Sequence, residues 1–447
     1  MEFTWLTSRA EAVPTKYATA SIIRTIAFTL LLLPIAAPFS VASEALTLVE
    51  ALKLAASRSQ QLVAQDAAAR AARQMAIAAG QLPDPTLKLG ISNLPVSGED
   101  RFSLSRDFMT MRSAGIMQEF TGEEKRRARA NRFEEEAQTA AAGRTLALAN
   151  LQRNTAQAWL NRYYQAQIRR ILTTQRDEAK LQIEAADTAY RTGRGSQVDL
   201  FAARYAVAQI EDRMAQSERE LSTANTRLSR WVGGMVVATS DELPNMDAVP
   251  FGGNGLPALL DQHPELILLQ RQEQVAIAEV DVAKANKKSD WTAEFMFNQR
   301  GAAYSNMVSI NFSVPIQWAQ SNRQDREQAA KQATVEQLHA QREEAMRGLL
   351  ADIQAMQQEW QSNRERIARF DSAQIPLANE RIQAALTSYR GGVGSLNAVL
   401  EARRMALDTR LERIRLEMET AALWAQLNYL TPANANANVP TLVQSPR

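Results

Sequence analysis

The sequence predicts a mainly helical, internally duplicated chain, in which each half combines long antiparallel helices with two short strands. Three observations carry this prediction. The glycine turn YRTGRGSQVDL, which starts at Tyr190, recurs 199 residues later as YRGGVGSLNAVL, which starts at Tyr389. Residues 123–191 contain no proline and one glycine. Four segments alternate apolar and polar side chains, as β-strands do. Self-similarity at a fixed spacing indicates one structural unit used twice.

Composition narrows the function classes. The formal charge is +2 over 447 residues, so no nucleic-acid partner is expected. The chain contains no cysteine, which excludes disulfides, thiolate metal sites, a cysteine nucleophile and a lipid attached to an N-terminal cysteine. Only 18 glycines and 15 prolines are present, which favours long helices.

Residues 1–43 have the pattern of an export signal. Arg24 precedes an apolar run at 26–33, and the small residues 41–43 suit cleavage. The alternative is a membrane anchor, but the run is too short to span about 30 Å of hydrocarbon as a helix. No later segment is a candidate transmembrane helix. The chain is therefore expected to be exported.

The first structural repeat is predicted at 44–234. It contains a helix at 44–80, strands at 86–94 and 113–120, a long helix at 123–191 and a return helix at 196–231. At about 1.5 Å per residue the long helix is roughly 100 Å long, so it must pack beside other helices in a bundle or tube. At the turn, Gly193 is expected to adopt the left-handed conformation. Ser196 and Asp199 are expected to form a capping box.

A proline- and glycine-rich linker at 235–255 precedes the second repeat at 256–430. The repeat contains a helix at 256–288, strands at 290–298 and 307–316, a long helix at 323–390 and a return helix at 395–430. Pro376 is expected to kink the long helix. Gly392 and Ser395 repeat the roles of Gly193 and Ser196. The tail at 431–447 is expected to be disordered.

The strands indicate where the protein resides. Isolated hairpins are unstable in water, which leaves a soluble sheet covered by a helix or a membrane barrel with its apolar side outward. Three chains with four strands each would close a barrel of about twelve strands. The loops 95–106 and 300–306 would then face the cell exterior. The side chains expected to face lipid are Leu87, Leu89, Phe295, Phe297, Ile310 and Phe312.

With these residues in view, the chain resembles TolC-type outer-membrane efflux proteins, the ducts of tripartite pumps, over residues 44–430. The resemblance rests on the duplicated plan, on His263-Pro264-Glu265-Leu266 at the start of the second half, and on the Tyr-x-x-Gly turns. It implies a homotrimer with a twelve-stranded barrel in the outer membrane of a Gram-negative bacterium and a twelve-helix tunnel in the periplasm. The implied partners are a periplasmic adaptor, an inner-membrane pump of the RND type and outer-membrane lipid. No cofactor is implied.

The resemblance also implies that both turns lie at the periplasmic tip, where the adaptor docks and the tunnel narrows. Tyr389 falls on the family's gate tyrosine and Glu401 on one of its acidic positions. Ala398 and Gly394 depart from the family pattern. The polar contacts that hold the tip shut in the family, called the lock below, are therefore in doubt for this chain. The candidate tip and gate residues are Tyr190, Arg191, Gly193, Asp199, Tyr389, Arg390, Gly392 and Glu401.

The sequence alone leaves two alternatives for the role of several of these tip residues. A threefold ring of Glu401 carboxylates in a narrow lumen would concentrate cations, whereas the plainer alternative is a solvated charge on a helix surface. Arg390 and Asp199 are possible substitutes in the lock. For Asp199 the alternative is helix capping, and for Tyr389 it is packing between helices.

Sequence features around the first strand pair resemble the heavy-metal resistance branch, which implies metal cations as cargo. They are Leu82-Pro83-Asp84-Pro85 and Met109-Thr110-Met111. Met109, Met111 and Met117 offer thioether contacts to Cu(I) or Ag(I), although methionine also fills irregular apolar gaps. The chain has only 2 histidines, so no dedicated metal site is expected, and His263 is expected to cap a helix.

The alternatives to a metal-efflux duct are an enzyme, another kind of outer-membrane channel and a periplasmic scaffold. An enzyme is not expected, because the chain lacks a Ser/His/Asp grouping, a phosphate-binding glycine loop and a paired-histidine motif. An outer-membrane channel for drugs or for type I protein secretion would share the architecture. A periplasmic coiled-coil adaptor or scaffold would share the helices, but it would lack four strands in two symmetric pairs.

Overall fold

A computed structural model describes residues 45–234, 238–249 and 256–433, which belong to one compact unit. The expected export signal lies outside the described residues. The elements, in chain order, are α1 (Leu48–Arg58), α2 (Gln60–Ala79), β1 (Thr86–Ser92), β2 (Met111–Phe120), α3 (Glu123–Arg191), α4 (Gln197–Val232), α5 (Leu256–Asp261), α6 (Pro264–Ala285), β3 (Trp291–Gln299), β4 (Met307–Ser313), α7 (Gln324–Arg369), a π-turn (Phe370–Gln374), α8 (Ile375–Arg390) and α9 (Leu396–Asn428).

The four strands form one antiparallel sheet in the order β1-β2-β3-β4. The hairpins of the two repeats join through β2 and β3, where Arg112 pairs with Gln299 and Phe120 pairs with Trp291. The two halves of the duplication therefore form one continuous four-stranded sheet. Its edges are β1 and β4, which each have one neighbouring strand in the described part of the chain.

Two strands end earlier than the sequence predicts. The strand predicted at 86–94 stops at Ser92, because Asn93 has a φ of 55° and cannot continue an extended strand. The strand predicted at 307–316 stops at Ser313, because Pro315 has no amide hydrogen for the ladder. Conversely, the strand predicted at 113–120 already begins at Met111.

α3 is one unbroken helix of 69 residues, about 100 Å long. It packs against α2, α4, α6 and α9, so it is the central rod of the molecule. Small side chains let these neighbours approach closely, and the alanines that α3 buries include Ala137, Ala142, Ala147 and Ala156. In the part of the chain that the structure describes, no helix has both the length and the apolar composition needed to cross a membrane.

Three segments predicted as continuous helices are interrupted. The helix at 44–80 divides at Ser59, whose side chain accepts a hydrogen bond from the Leu62 amide. The helix at 256–288 divides just before α6. The helix at 323–390 contains the π-turn, in which the Ile375 amide bonds to the Phe370 carbonyl. This wider turn accommodates the ring of Pro376, which lacks an amide hydrogen and crowds the preceding turn.

The main core lies around the middle of the long helices. The side chains of Trp159 and Leu160 are fully buried there, and the Trp159 indole donates a 2.9 Å hydrogen bond to the carbonyl of Leu46. Leu46 also pairs as an isolated bridge with Thr239. Part of the predicted linker at 235–255 is therefore fixed against the core, while residues 235–237 and 250–255 lie outside the described residues.

The expectation of a disordered tail is wrong at its start. The Gln152 side chain accepts a 3.0 Å hydrogen bond from the Ala433 amide and donates one of 3.0 Å to the Ala433 carbonyl. This reciprocal pair holds residue 433 against α3, and residues 434–447 lie outside the described part of the chain.

Candidate functional site

The six side chains expected to face lipid all lie on one face of the sheet. The register aligns Leu87, Ile116, Phe295 and Ile310 in one row across the four strands. The next row contains Leu89, Ala114, Phe297 and Val308. The six expected residues are between 43% and 72% exposed. We call this surface, with Trp291 and Phe312, the apolar face.

The opposite face of the sheet is polar and better covered. Ser113 donates a 2.7 Å hydrogen bond to Asn298, whose amide donates a 3.0 Å bond to Ser309. Lys88 and Glu294 form an ion pair of 2.6 Å. Ser113 and Asn298 are each only 7% exposed. The inner strands β2 and β3 thus reverse the arrangement of a water-soluble protein, because Ser113 and Asn298 are covered and hydrogen-bonded while large apolar side chains on the other face are exposed.

Aromatic residues lie at one end of the apolar face and polar residues at the other. At the end next to the helices, Phe120 stacks on Trp291 with 4.2 Å between ring centroids, and Phe312 lies 6.3 Å from Trp291. At the loop end, Arg112 and Gln299 occupy this face as a pair. From Arg112 to Phe120 the strand is roughly 27 Å long. In a barrel whose strands tilt by ~40° from the barrel axis, this length would span about 20 Å along that axis.

A buried ion pair joins the sheet to the long helices. The Lys125 ammonium donates to Asp290 at 2.7 Å and to the Lys288 carbonyl at 3.0 Å. The second oxygen of Asp290 accepts a 3.1 Å hydrogen bond from the Gly122 amide. The start of α3 is therefore fixed to the start of β3. No local sequence pattern predicts this contact, because its partners lie in different repeats and meet only when β2 pairs with β3.

Both glycine turns lie at the same end of the molecule. Ala186 and Leu200 of the first helical hairpin share a buried cluster with Leu396 and Val399 of the second. Tyr389 is half-buried and packs against this cluster, as the packing alternative for this residue expected. We call this end of the molecule the tip.

The predicted backbone of the turns is confirmed. Gly193 and Gly392 have φ values of 68° and 75°. Ser196 and Asp199 form the reciprocal capping box at the start of α4. Ser395 caps α9 by accepting from the Ala398 amide at 3.3 Å. Alanine at 398 cannot return this bond, so the second turn is held by one capping interaction where the first has two.

Two charged tip residues, Glu401 and Arg191, form ion pairs with residues one turn away on the same helix. Glu401 forms a 2.9 Å ion pair with Arg404, one turn away on α9, and the hydrogen bond from this guanidinium lowers the pKa of Glu401. Arg191 pairs with Asp187 at 2.7 Å. Glu401 therefore carries a negative charge that its neighbour partly balances.

Asp199 and Arg390 do not form a substitute lock within the chain. The carboxylate of Asp199 accepts from the Ser196 amide at 3.1 Å and from its hydroxyl at 2.7 Å, so capping occupies it. Arg390 and Tyr190 are exposed at the tip. Among the residues that the structure describes, Arg390 forms no ion pair.

Methionines occupy four successive levels of the polar face. From the loop end downward, Met111 pairs with Ser92, Met307 with Asn298, Met296 with Gly115, and Met117 with Glu294. Gly115 makes room for the Met296 sulfur, which a side chain at this position would meet. Met109 lies in the loop and is 46% exposed. Met111 and Met117 are two of the thioether contacts predicted from the sequence, and Met296 and Met307 join them only through the pairing of the strands.

His263 caps α6, as expected. Its Nδ1 accepts a 3.4 Å hydrogen bond from the Glu265 amide. Burial lowers the pKa of His263 to about 4, with a smaller contribution from Arg153. The imidazole is therefore neutral near pH 7 and can accept this bond. Across the described ranges, no cluster of three or more histidine, aspartate or glutamate side chains is arranged to hold a metal ion.

No protein-family model matches the chain, and no curated protein does. Solved structures do match. CusC is 16% identical with a TM-score of 0.74, over 86% of this chain and 92% of CusC. The outer-membrane channel OprN is 16% identical with a TM-score of 0.73, over 87% and 90%. The outer membrane protein VceC of Vibrio cholerae is 18% identical with a TM-score of 0.69, over 86% and 95%.

At these identities the likeness shows the fold. The chain has the fold of outer-membrane channel proteins, which confirms at this level the resemblance to TolC-type efflux proteins drawn from its sequence. The predicted fold class, mainly helical with four strands per chain, is confirmed as well. OprN, CmeC of Campylobacter jejuni and MtrE of Neisseria gonorrhoeae are outer-membrane channels.

Replacing Gly392 with valine should destabilise the tip. A β-branched residue at a φ of 75° costs about 1–2 kcal/mol, and the second turn lacks a reciprocal cap. We expect faster amide hydrogen exchange over residues 385–400.

Gly391→Ala is the matched control, because Gly391 has a φ of −77° and an added Cβ would make only ordinary contacts. It should exchange like the wild type. Equal exchange in both variants would show that the backbone conformation of Gly392 does not determine the stability of the tip.

Proposed function

We propose that three copies of this chain form the outer-membrane duct of a tripartite efflux system in a Gram-negative bacterium. Each copy contributes four strands to a twelve-stranded barrel and two helical hairpins to a periplasmic tunnel. The duct is passive, and a periplasmic adaptor and an inner-membrane pump of the RND type supply it with cargo. The exposed apolar face opposite a polar, hydrogen-bonded face is the observation that carries this proposal.

The sheet edges support closure by further copies. Within the described residues, β1 and β4 have no pairing partner on their outer sides, and almost all of their residues are exposed. Open edges of this kind invite association with other chains. Because three four-stranded sheets make twelve strands, a ring of three copies leaves no edge open. The polar face would then line a lumen.

The apolar face supports a lipid environment. Its side chains are too many and too contiguous for a surface that water covers. Barrels in outer membranes carry an outward apolar band about 25 Å tall, flanked by aromatic residues. The group formed by Phe120, Trp291 and Phe312 suits the periplasmic boundary of such a band. Outer-membrane lipid is thus a direct partner of the proposed trimer.

The helices and the tip support the periplasmic part of the duct. α3, about 100 Å long, and α7 followed by α8 each lead from the end of a strand to a glycine turn at the tip, so they can line a continuous tunnel. The two turns share one buried cluster at the tip, so each copy would present both turns to an adaptor. Glu401, Tyr389 and Arg390 are the residues that we assign to the gate.

Heavy-metal cations are the cargo that we propose. Met111, Met307, Met296 and Met117 lie on the face that would line the lumen, one at each level. Thioether sulfur binds soft cations such as Cu(I) and Ag(I). Weak contacts at several levels permit passage, because conduction requires sites that release their ion.

Cysteine pairs should link the open edges of neighbouring copies. We combine Leu89→Cys on β1 with Val308→Cys, Ile310→Cys or Phe312→Cys on β4, all of which lie on the apolar face. One register should place a pair within disulfide reach. We expect that combination to yield linked trimers in denaturing gels of oxidised membranes.

Leu89→Cys combined with Phe295→Cys is the control, because Phe295 lies on an inner strand and should link no copies. A chain without native cysteine gives no background. If all three edge combinations stay monomeric in the membrane, ring closure through β1 and β4 is ruled out.

Removing the Glu401 carboxylate should weaken cation selectivity. A threefold ring of carboxylates at the narrow tip attracts cations, and Arg404 partly offsets it. In planar bilayers under a salt gradient, we expect Glu401→Ala to shift the reversal potential towards anions. Arg404→Ala should shift it in the opposite direction. Reversal potentials equal to the wild type in both variants would exclude Glu401 from the lumen.

Deletion of the gene identifies the cargo. We expect the deletion strain to become sensitive to copper and silver salts, with complementation by the intact chain, while tolerance of hydrophobic drugs changes little. Sensitivity to drugs alone would favour a drug channel. Loss of a secreted protein would favour type I secretion, and recovery of the chain from the soluble periplasm would favour a scaffold.

A further inference from the structure

The segment Val314–Trp318 lies between β4 and α7 and has no counterpart in the first repeat. There, β2 ends at Phe120 and α3 begins at Glu123, so two residues connect strand to helix. In the second repeat, residues 314–323 separate the strand from the helix. The duplication thus marks this segment, which we call the strap, as an addition to the common plan.

The strap continues the apolar row of β4 beyond the end of the sheet. Val308, Ile310 and Phe312 alternate along the strand on the apolar face. Val314, Ile316 and Trp318 keep the same two-residue spacing and are 58%, 75% and 90% exposed. Exposure therefore rises along the row and is greatest at the tryptophan.

Two hydrogen bonds fix the orientation of the strap. Ser289 donates to the Pro315 carbonyl at 2.6 Å, and the Gln317 side chain donates to the Asn286 carbonyl at 3.2 Å. Gln317 is half-buried, unlike its neighbours. The polar groups of the strap thus face the turn before β3, and the side chains of Ile316 and Trp318 point away from the protein.

Charged residues lie at the level of the strap. Next to Asn286, Lys287 pairs with Asp325 at 2.7 Å, and Lys288 pairs with Glu124. The strap therefore lies where the apolar face gives way to a charged surface. A tryptophan favours such a boundary, because its ring is apolar and its indole N–H needs a polar partner.

We propose that the strap is a membrane anchor, in which Ile316 and Trp318 insert into the headgroup region of the periplasmic leaflet. The inference rests on the proposed barrel. The height of the apolar face, about 20 Å, falls short of a band of about 25 Å, and the strap extends it at the helix end. A neighbouring copy would pair with the edge of β4 and leave outward side chains uncovered, so lipid is the occupant.

Spin labels on the reconstituted full-length trimer test this proposal. Because the chain has no native cysteine, a nitroxide can be attached at Trp318→Cys and, in a second variant, at Ile316→Cys. Phe295→Cys reports the centre of the apolar face, and Val393→Cys, at a residue 88% exposed at the tip, reports water. The measurement is the ratio of accessibility to oxygen over accessibility to a water-soluble nickel complex.

We expect the ratio at 318 and 316 to be severalfold higher than at 393 and lower than at 295. A ratio at both strap positions equal to that at 393 would place the strap in water. Exclusion of both reagents would mean that protein covers it. Either result overturns the anchor while 295 still reports lipid, whereas a water-like ratio at 295 would instead overturn the proposed barrel.

Discussion

The structure of this chain depends on one constraint: the four-stranded sheet has to satisfy the backbone hydrogen-bonding groups of its two edge strands and to keep its apolar face away from water. Four strands in the order β1-β2-β3-β4 cannot curl into a closed barrel with a lumen, so the edges need partners from elsewhere. The polar side is already satisfied by the contacts among Ser113, Asn298 and Ser309. What a single copy leaves open in its described part is therefore its two edges and its apolar face, and the proposed trimer in lipid would meet both needs.

The helices depend on this sheet through a small contact region. Lys125 is 7% exposed, and a buried ammonium is tolerated only when it is paired and hydrogen-bonded. Asp290 and the Lys288 carbonyl meet this requirement. Because the pair fixes the first turn of α3 to β3, the direction of a rod about 100 Å long is set at its base. The neutral cap provided by His263 similarly fixes the start of α6.

The two repeats share a plan but differ in local stability at the tip. α3 runs unbroken into its turn and buries Ala179 and Ala186 on the way. α8 lies between a π-turn and a glycine turn and buries none of its residues. Asp371 in the π-turn accepts hydrogen bonds from Nε and Nη2 of Arg413, at 2.6 Å and 3.1 Å. Segments with few buried apolar contacts open most readily, so the second hairpin is the less stable part of the tip.

The sequence by itself determined the duplication, the long helices, the four strands and the conformation of Gly193 and Gly392, because periodicity, glycine and capping residues act within a few neighbours. It also determined that the apolar side chains of each strand share one face of the sheet, because they recur at every second residue. Only the tertiary structure decided that the two hairpins form one sheet, that Lys125 meets Asp290, and that four methionines follow one another on the polar face. It also revealed the breaks at Ser59 and before Pro376, and the contact that holds Ala433. These features depend on partners distant in sequence, or on competition between a helix and its surroundings, and no local pattern encodes them.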